Sequence, residues 1–99
     1  MPNIQTIAIR ILASGIVLRF KGRDAWALHC LIAAGERGCT PICHPGPRWS
    51  GYIYKLRRAG LDVETVTEKH AAPYAGTHAR YVLRTPVEII ELAASEVAA

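Results

Sequence analysis

Between Pro47 and Gly60 the chain reads PRWSGYIYKLRRAG. Arg48, Lys55, Arg57 and Arg58 supply cations in this stretch, Ser50 a hydroxyl and Tyr54 a phenol, and there is no carboxylate to neutralise them. Guanidinium and ammonium groups pair with phosphate, and the same side chains can hydrogen-bond the edges of bases. At helical period Trp49, Tyr52, Ile53 and Leu56 fall at i, i+3, i+4 and i+7 and so share one apolar face. Arg48, Ser50, Gly51, Tyr54, Lys55 and Arg58 then point elsewhere. An amphipathic helix with an apolar back and a cationic front suits insertion into a nucleic-acid groove. The competing reading is a surface helix that is merely basic, and the rest of the chain has to decide between them.

Charge is unevenly spread. The 99 residues carry 12 Lys and Arg against 8 Asp and Glu, a formal net charge of +4, which favours an anionic partner only weakly. No Asp or Glu occurs from Arg37 to Leu61, whereas Glu88, Glu91 and Glu96 follow Arg84 with no further Lys or Arg. A cationic middle and an anionic tail suit one face turned toward nucleic acid and a back that avoids it. The length suits one small domain, and 51% hydrophobic residues suffice for a thin core that Trp26 and Trp49 would anchor. Three cysteines without a secretory signal argue against a disulfide scaffold. The apolar stretch Ile4–Phe20 is too interrupted by polar residues to span a membrane. The expected location is the cytoplasm, in association with the nucleoid.

These features place the elements that must position the helix. Ile7, Ile9 and Ile11 alternate with Ala8, Arg10 and Leu12, and Ala13-Ser14-Gly15 suits a tight turn before Ile16–Phe20, so residues 1–22 read as a β-hairpin and a candidate self-association arm. A helix through Ile4, Ile7, Ile11 and Leu12 is the rival form, and packing on the chain's own body is the rival role. Asp24 can cap or open a helix over Ala25–Ala34 that Gly35 ends. Thr40-Pro41 starts a one-turn helix to His44, interrupted by His44-Pro45-Gly46-Pro47. The basic helix runs from Pro47 to Ala59, closed by Gly60. Leu61–Glu68 and Ala79–Arg84 read as two strands joined by a long loop, with Glu64 and Glu68 able to face Arg80 and Arg84. Thr85-Pro86-Val87-Glu88 has the form of a capping box and predicts a last helix to about Val97.

Helix, short helical turn, basic helix and β-hairpin in this order are the layout of a winged-helix domain, and here the sequence resembles a known family. The runs "ALHCLIAAGERGCT", "WSGYIYKLRRAGLDVETVTEKH" and "GTHARYVL" look like small bacterial or phage-type winged-helix (helix-turn-helix) DNA-binding proteins, most specifically at "IYKLRRAGLDVET". The resemblance covers about Arg23 to Arg84. It implies an α+β fold with a three-helix core and a β-hairpin wing over 23–84, to which the sequence adds the N-terminal β segment and a C-terminal helix over 85–99. The prolines and glycine between His44 and Pro47 depart from the common pattern and shorten the second helix. The implied function is sequence-specific binding of double-stranded DNA by a transcriptional regulator, helix 47–59 lying in the major groove and wing 61–84 on the flanking backbone or minor groove. The DNA-contacting residues would be Arg48, Ser50, Tyr54, Lys55, Arg57 and Arg58 on the helix and Lys69, His70, His78 and Arg80 on the wing. A homodimer would read two half-sites. Arg57 has a rival role as a structural ion-pair partner.

Other readings carry less. A winged helix can also be a protein-docking module that binds a partner through its apolar N-terminus and acidic last helix, with no DNA contact. Single-stranded binding would need stacking platforms beyond Tyr54 and Tyr74. Cys39, Cys43 and His44 lack a paired zinc-ligand spacing, and Cys30 sits in an apolar helix, so no metal is assigned. His70 and His78 can ligate, titrate, touch phosphate or simply fill a polar loop. No nucleophile elbow, phosphate-cradling glycine loop or acid pair is present, so neither catalysis nor a cofactor is expected.

Overall fold

The computed structural model describes residues 2–40, 48–70 and 76–96. Strands β1 (Pro2–Ile11) and β2 (Val17–Lys21) form an antiparallel hairpin, followed by helix α1 (Gly22–Ala34) and a 3-10 turn (Gly35–Arg37). Helix α2 (Trp49–Arg58) leads into strands β3 (Val63–His70) and β4 (Gly76–Leu83), and strand β5 (Val87–Glu96) ends the described chain. The strands make two sheets, one ordered β2-β1-β5 and one pairing β3 with β4.

The hairpin form of the N-terminal segment holds. Gly15, at φ 76°, takes the left-handed turn, and its amide reaches the Ile11 carbonyl at 2.7 Å. Ile4, Ile7 and Ile9 of β1 are buried in one cluster with Ala25, Leu28 and Leu31 of α1 and with Ile53 and Leu56 of α2, so the hairpin's apolar face packs on its own chain. Helix α1 starts earlier than predicted. Lys21 is its N-cap, with Asp24 in the first turn, where a carboxylate favours the positive helix end. Gly35 caps the far end at φ 58°, its amide on the Leu31 carbonyl.

Two α-helices are present among the described residues, where the sequence suggested a three-helix core. The short helix expected over Pro41–His44, along with Cys43 and His44, lies outside those residues. The C-terminal helix is a correction: the stretch after Pro86 is β5, antiparallel to β1 with Arg10 opposite Glu88 and Ala8 opposite Glu91. The capping signal lost to tertiary pairing. Thr85 Oγ1 accepts the Asp62 amide at 2.7 Å. β1 offers β5 a ten-residue partner, and Arg10 and Arg19 pair with Glu88 and Glu91. Helix propensity is worth only tenths of a kcal/mol per residue, and a strand ladder satisfies the same backbone groups.

A Schellman motif closes α2. The Leu61 amide bonds the Leu56 carbonyl at 3.1 Å and the Gly60 amide bonds the Arg57 carbonyl at 3.0 Å, with Gly60 at φ 111° and both leucines buried. The first wing strand is shifted two residues along, ending at His70, and the second begins earlier than predicted, at Gly76, so the joining segment is shorter. Cys39 forms a two-way bridge to Tyr81 of β4, both bonds 2.8 Å. This bridge passes over Gly38, where a Cβ would meet the Tyr81 carbonyl at 2.5 Å and a Val82 methyl at 2.8 Å.

Candidate nucleic-acid interface

Helix α2 divides along the line its sequence implies. Trp49, Tyr52, Ile53 and Leu56 are buried. An aromatic cluster holds that side in place: Trp49 packs 5.4 Å from Trp26 of α1 and stacks at 16° on Tyr81 of β4, 6.0 Å away, while Tyr52 meets both tryptophans edge-on. One ring system therefore sets α2 against both α1 and the wing.

The opposite side stands in solvent. Arg48, Ser50, Tyr54, Lys55 and Arg58 are all exposed, Tyr54 at 60%. Arg58 Nη1 donates to the Tyr54 hydroxyl at 3.1 Å, one turn apart, so the phenol and the guanidinium present as a unit. Lys55 lies 3.5 Å from Asp24 at the start of α1, an exposed pair of little energetic weight. Neither the N-terminal hairpin nor β5 covers these side chains. Gly51 sits among them in the first turn of α2, with an ordinary helical φ, and a Cβ there would touch only the Arg48 Cβ at 3.9 Å. Packing therefore gives no reason for a glycine at this position.

Arg57 is committed within the fold. It donates twice to the Val63 carbonyl, at 3.1 and 2.6 Å, and once to Thr65 Oγ1 at 2.7 Å, clamping the end of α2 to the first wing strand. Arg80 is similarly occupied, donating to Glu68 at 3.0 Å and to the carbonyls of Glu36 and Arg37. His78 lies 3.2 Å from the other Glu68 oxygen. The pairings of Glu68 with Arg80 and of Glu64 with Arg84 are those the sequence suggested. Lys69 is exposed near the end of β3, and His70 is that strand's last residue. Tyr74 falls outside the described residues.

Sequence reasoning missed Lys21 and Arg23. An open cleft of ≈ 890 Å³ runs between the start of β1 and α2, and its lining includes Ile4, Lys21, Arg23, Arg48, Tyr52 and Lys55. Its one carboxylate is Asp24. Arg23 is held there by stacking 4.3 Å over the Trp26 ring and by donating to the Tyr52 hydroxyl at 3.3 Å. Nothing local to Lys21 or Arg23 signals this, because the cleft is made by bringing a strand end beside a helix far along the chain.

Cys30 is a free, partly buried thiol. Burial pushes the Cys30 thiol up from its ordinary value, against the opposing pull of the Arg23 guanidinium. No group of three or more metal-ligating side chains occurs among the described residues. None of the described helices is long and apolar enough to cross a membrane.

A family model described as a winged helix domain matches residues 17–93. No curated protein and no solved structure matches the chain. Winged helix domains are, in general, DNA-binding modules.

Proposed function

Because the chain belongs to the winged helix domain family, we propose that it binds double-stranded DNA sequence-specifically, as a transcriptional regulator of bacterial or phage type. Helix α2 lies in the major groove, and the wing rests on the flanking backbone or minor groove. The observation that carries this reading is the solvent-facing side of α2, where Arg48, Lys55 and Arg58 are exposed while the tryptophan side is sealed. Ser50, Tyr54 and Lys55 reach base edges, and Arg48 and Arg58 reach bases or phosphates. Lys69 and His70 bring the wing end to the backbone.

Arg57, His78 and Arg80 act differently in this reading. Arg57 ties α2 to β3, Arg80 ties the wing to the 3-10 turn, and His78 lies against Glu68 inside the wing, so their effect on DNA binding is through geometry. Lys21 and Arg23 extend the cationic surface along the cleft beside α2. Such a protein works in the cytoplasm, on the nucleoid, and needs neither cofactor nor catalytic group.

The test is fluorescence anisotropy with labelled duplexes, after selecting bound sequences from a random pool. Affinity should fall with salt at a slope of about −0.9 in log K per phosphate contact, with ~4–6 contacts. Changing Arg48, Lys55 and Arg58 together to alanine should abolish binding and leave the circular dichroism spectrum unchanged. Salt-independent behaviour, or an affinity untouched by the triple change, would point to the protein-docking alternative.

A further inference from the structure

The sheet β2-β1-β5 has two edges of different character. The β2 edge is five residues long and presents exposed Arg19 and Lys21. Short length and cations are the usual means by which an edge strand avoids pairing with another chain. The β5 edge is ten residues long and contains no Lys, Arg or Pro. Its side facing away from β1 pairs with no strand among the described residues.

The same strand leaves apolar surface uncovered. Ile89 is opposite Ile9 and Leu92 opposite Ile7 across the β1–β5 ladder, and directly opposed residues share a face. Ile7 and Ile9 are sealed, whereas Ile89 and Leu92 remain 38% and 43% exposed. The reason is that α1 packs over β1 and β2 and does not reach β5. A row of backbone groups and an apolar strip thus need covering side by side.

Charge identifies the occupant. Glu88 and Glu91 are neutralised within the chain by Arg10 and Arg19. Around Ile89 and Leu92 the edge therefore offers no excess charge for a basic or acidic partner, and it suits another neutral, apolar strand edge. We propose that β5 pairs antiparallel with β5 of a second copy of this chain, about a two-fold axis normal to the sheet, giving one sheet in the order β2-β1-β5-β5-β1-β2. With Ala93 on the axis, Glu91 of one copy stands opposite Ser95 of the other and Glu96 opposite Ile90, so no carboxylate meets a carboxylate along the seam. Strands lie about 4.8 Å apart, which sets the two β1 strands about 14 Å apart across three spacings. Each carries an α1 about 10–12 Å wide with its side chains. The two helices then flank a narrow trough floored by Ile89 and Leu92 of both copies, and that strip leaves water.

Sedimentation of the full chain without DNA, from low to high micromolar concentration, tests this pairing independently of the DNA reading. The chain should sediment as a dimer. Leu92→Lys should weaken association about tenfold or more, while Val17→Lys on the opposite edge should not. Hydrogen exchange of the unaltered chain gives a readout that no folding defect can confuse: amides of β5 should gain protection as concentration rises, and those of β2 should not. A monomer throughout the range, equal effects of the two changes, or β5 exchange independent of concentration would overturn the proposal.

Discussion

Replacing Gly51 with alanine should make the free protein more stable and its DNA complex weaker. Glycine in a helix costs ~0.5–1 kcal/mol relative to alanine, because it loses more backbone freedom on folding. Gly51 lies in the first turn of α2, where its amide bonds the Arg48 carbonyl at 3.0 Å, so the lower end of that range applies. An added methyl meets only the Arg48 Cβ, at 3.9 Å, an ordinary contact with no clash to subtract. A gain of ~0.5 kcal/mol should raise the melting temperature by ~2–4 °C in a domain this size. On DNA the methyl lies between Arg48, Ser50, Tyr54 and Lys55, on the side proposed to press into the groove. Affinity for the selected duplex should fall about fivefold or more, equivalent to ~1 kcal/mol, and Gly51→Leu should bind more weakly still. Thermal melts without DNA and anisotropy titrations with it separate the two effects. A rise in melting temperature with unchanged affinity would mean that this face of α2 does not approach DNA closely. A fall would refute the reading of the helix itself.

Gly38→Ala should act in the opposite sense. At φ 70° and ψ −177°, with a Cβ forced to 2.5 Å from the Tyr81 carbonyl, it should cost about 2 kcal/mol or more, read as a lower urea midpoint. Arg57→Ala should destabilise by about 1–2 kcal/mol through loss of its bonds to Val63 and Thr65. Arg57→Lys should not restore that stability, since an ammonium lacks the planar fork; full rescue by lysine in urea titrations would contradict the clamp. The Cys30 thiol is held above its ordinary value by burial. Its stabilising contribution is therefore complete below the ordinary cysteine value, about 8.5, and is lost as pH rises through the raised folded value. Stability should fall less steeply above pH ~9 in Cys30→Ala than in the unaltered chain, and identical pH profiles would refute this.

Much of the interface was legible because it is local. The spacing of Trp49, Tyr52, Ile53 and Leu56 defines a buried helix face without reference to anything else. Gly60 closes that helix with the left-handed residue its end requires. The Glu64–Arg84 and Glu68–Arg80 pairs follow once two strands are joined as a hairpin. The bonds of Arg57 to the Val63 carbonyl and of Arg80 to the Glu36 and Arg37 carbonyls were not legible, because a guanidinium that clamps a carbonyl and one that meets a phosphate are the same residue in sequence. Lys21 and Arg23 were missed for a related reason: their place beside α2 exists only after the chain has folded.

By itself the sequence determined the faces of α2, the turns at Gly15 and Gly60 and the uneven spread of charge, since each depends on residues a few positions apart. Tertiary structure alone decided the state of the last segment. Val87–Glu96 carries a good helix-start signal and residues that favour a helix, yet its partner β1 lies at the other end of the chain, Arg10 meeting Glu88 across 78 positions. Periodicity within one segment cannot register such a partner. A long-range ladder outweighs helix preferences of a few tenths of a kcal/mol per residue, and it leaves exposed the strand edge on which the proposed dimer rests.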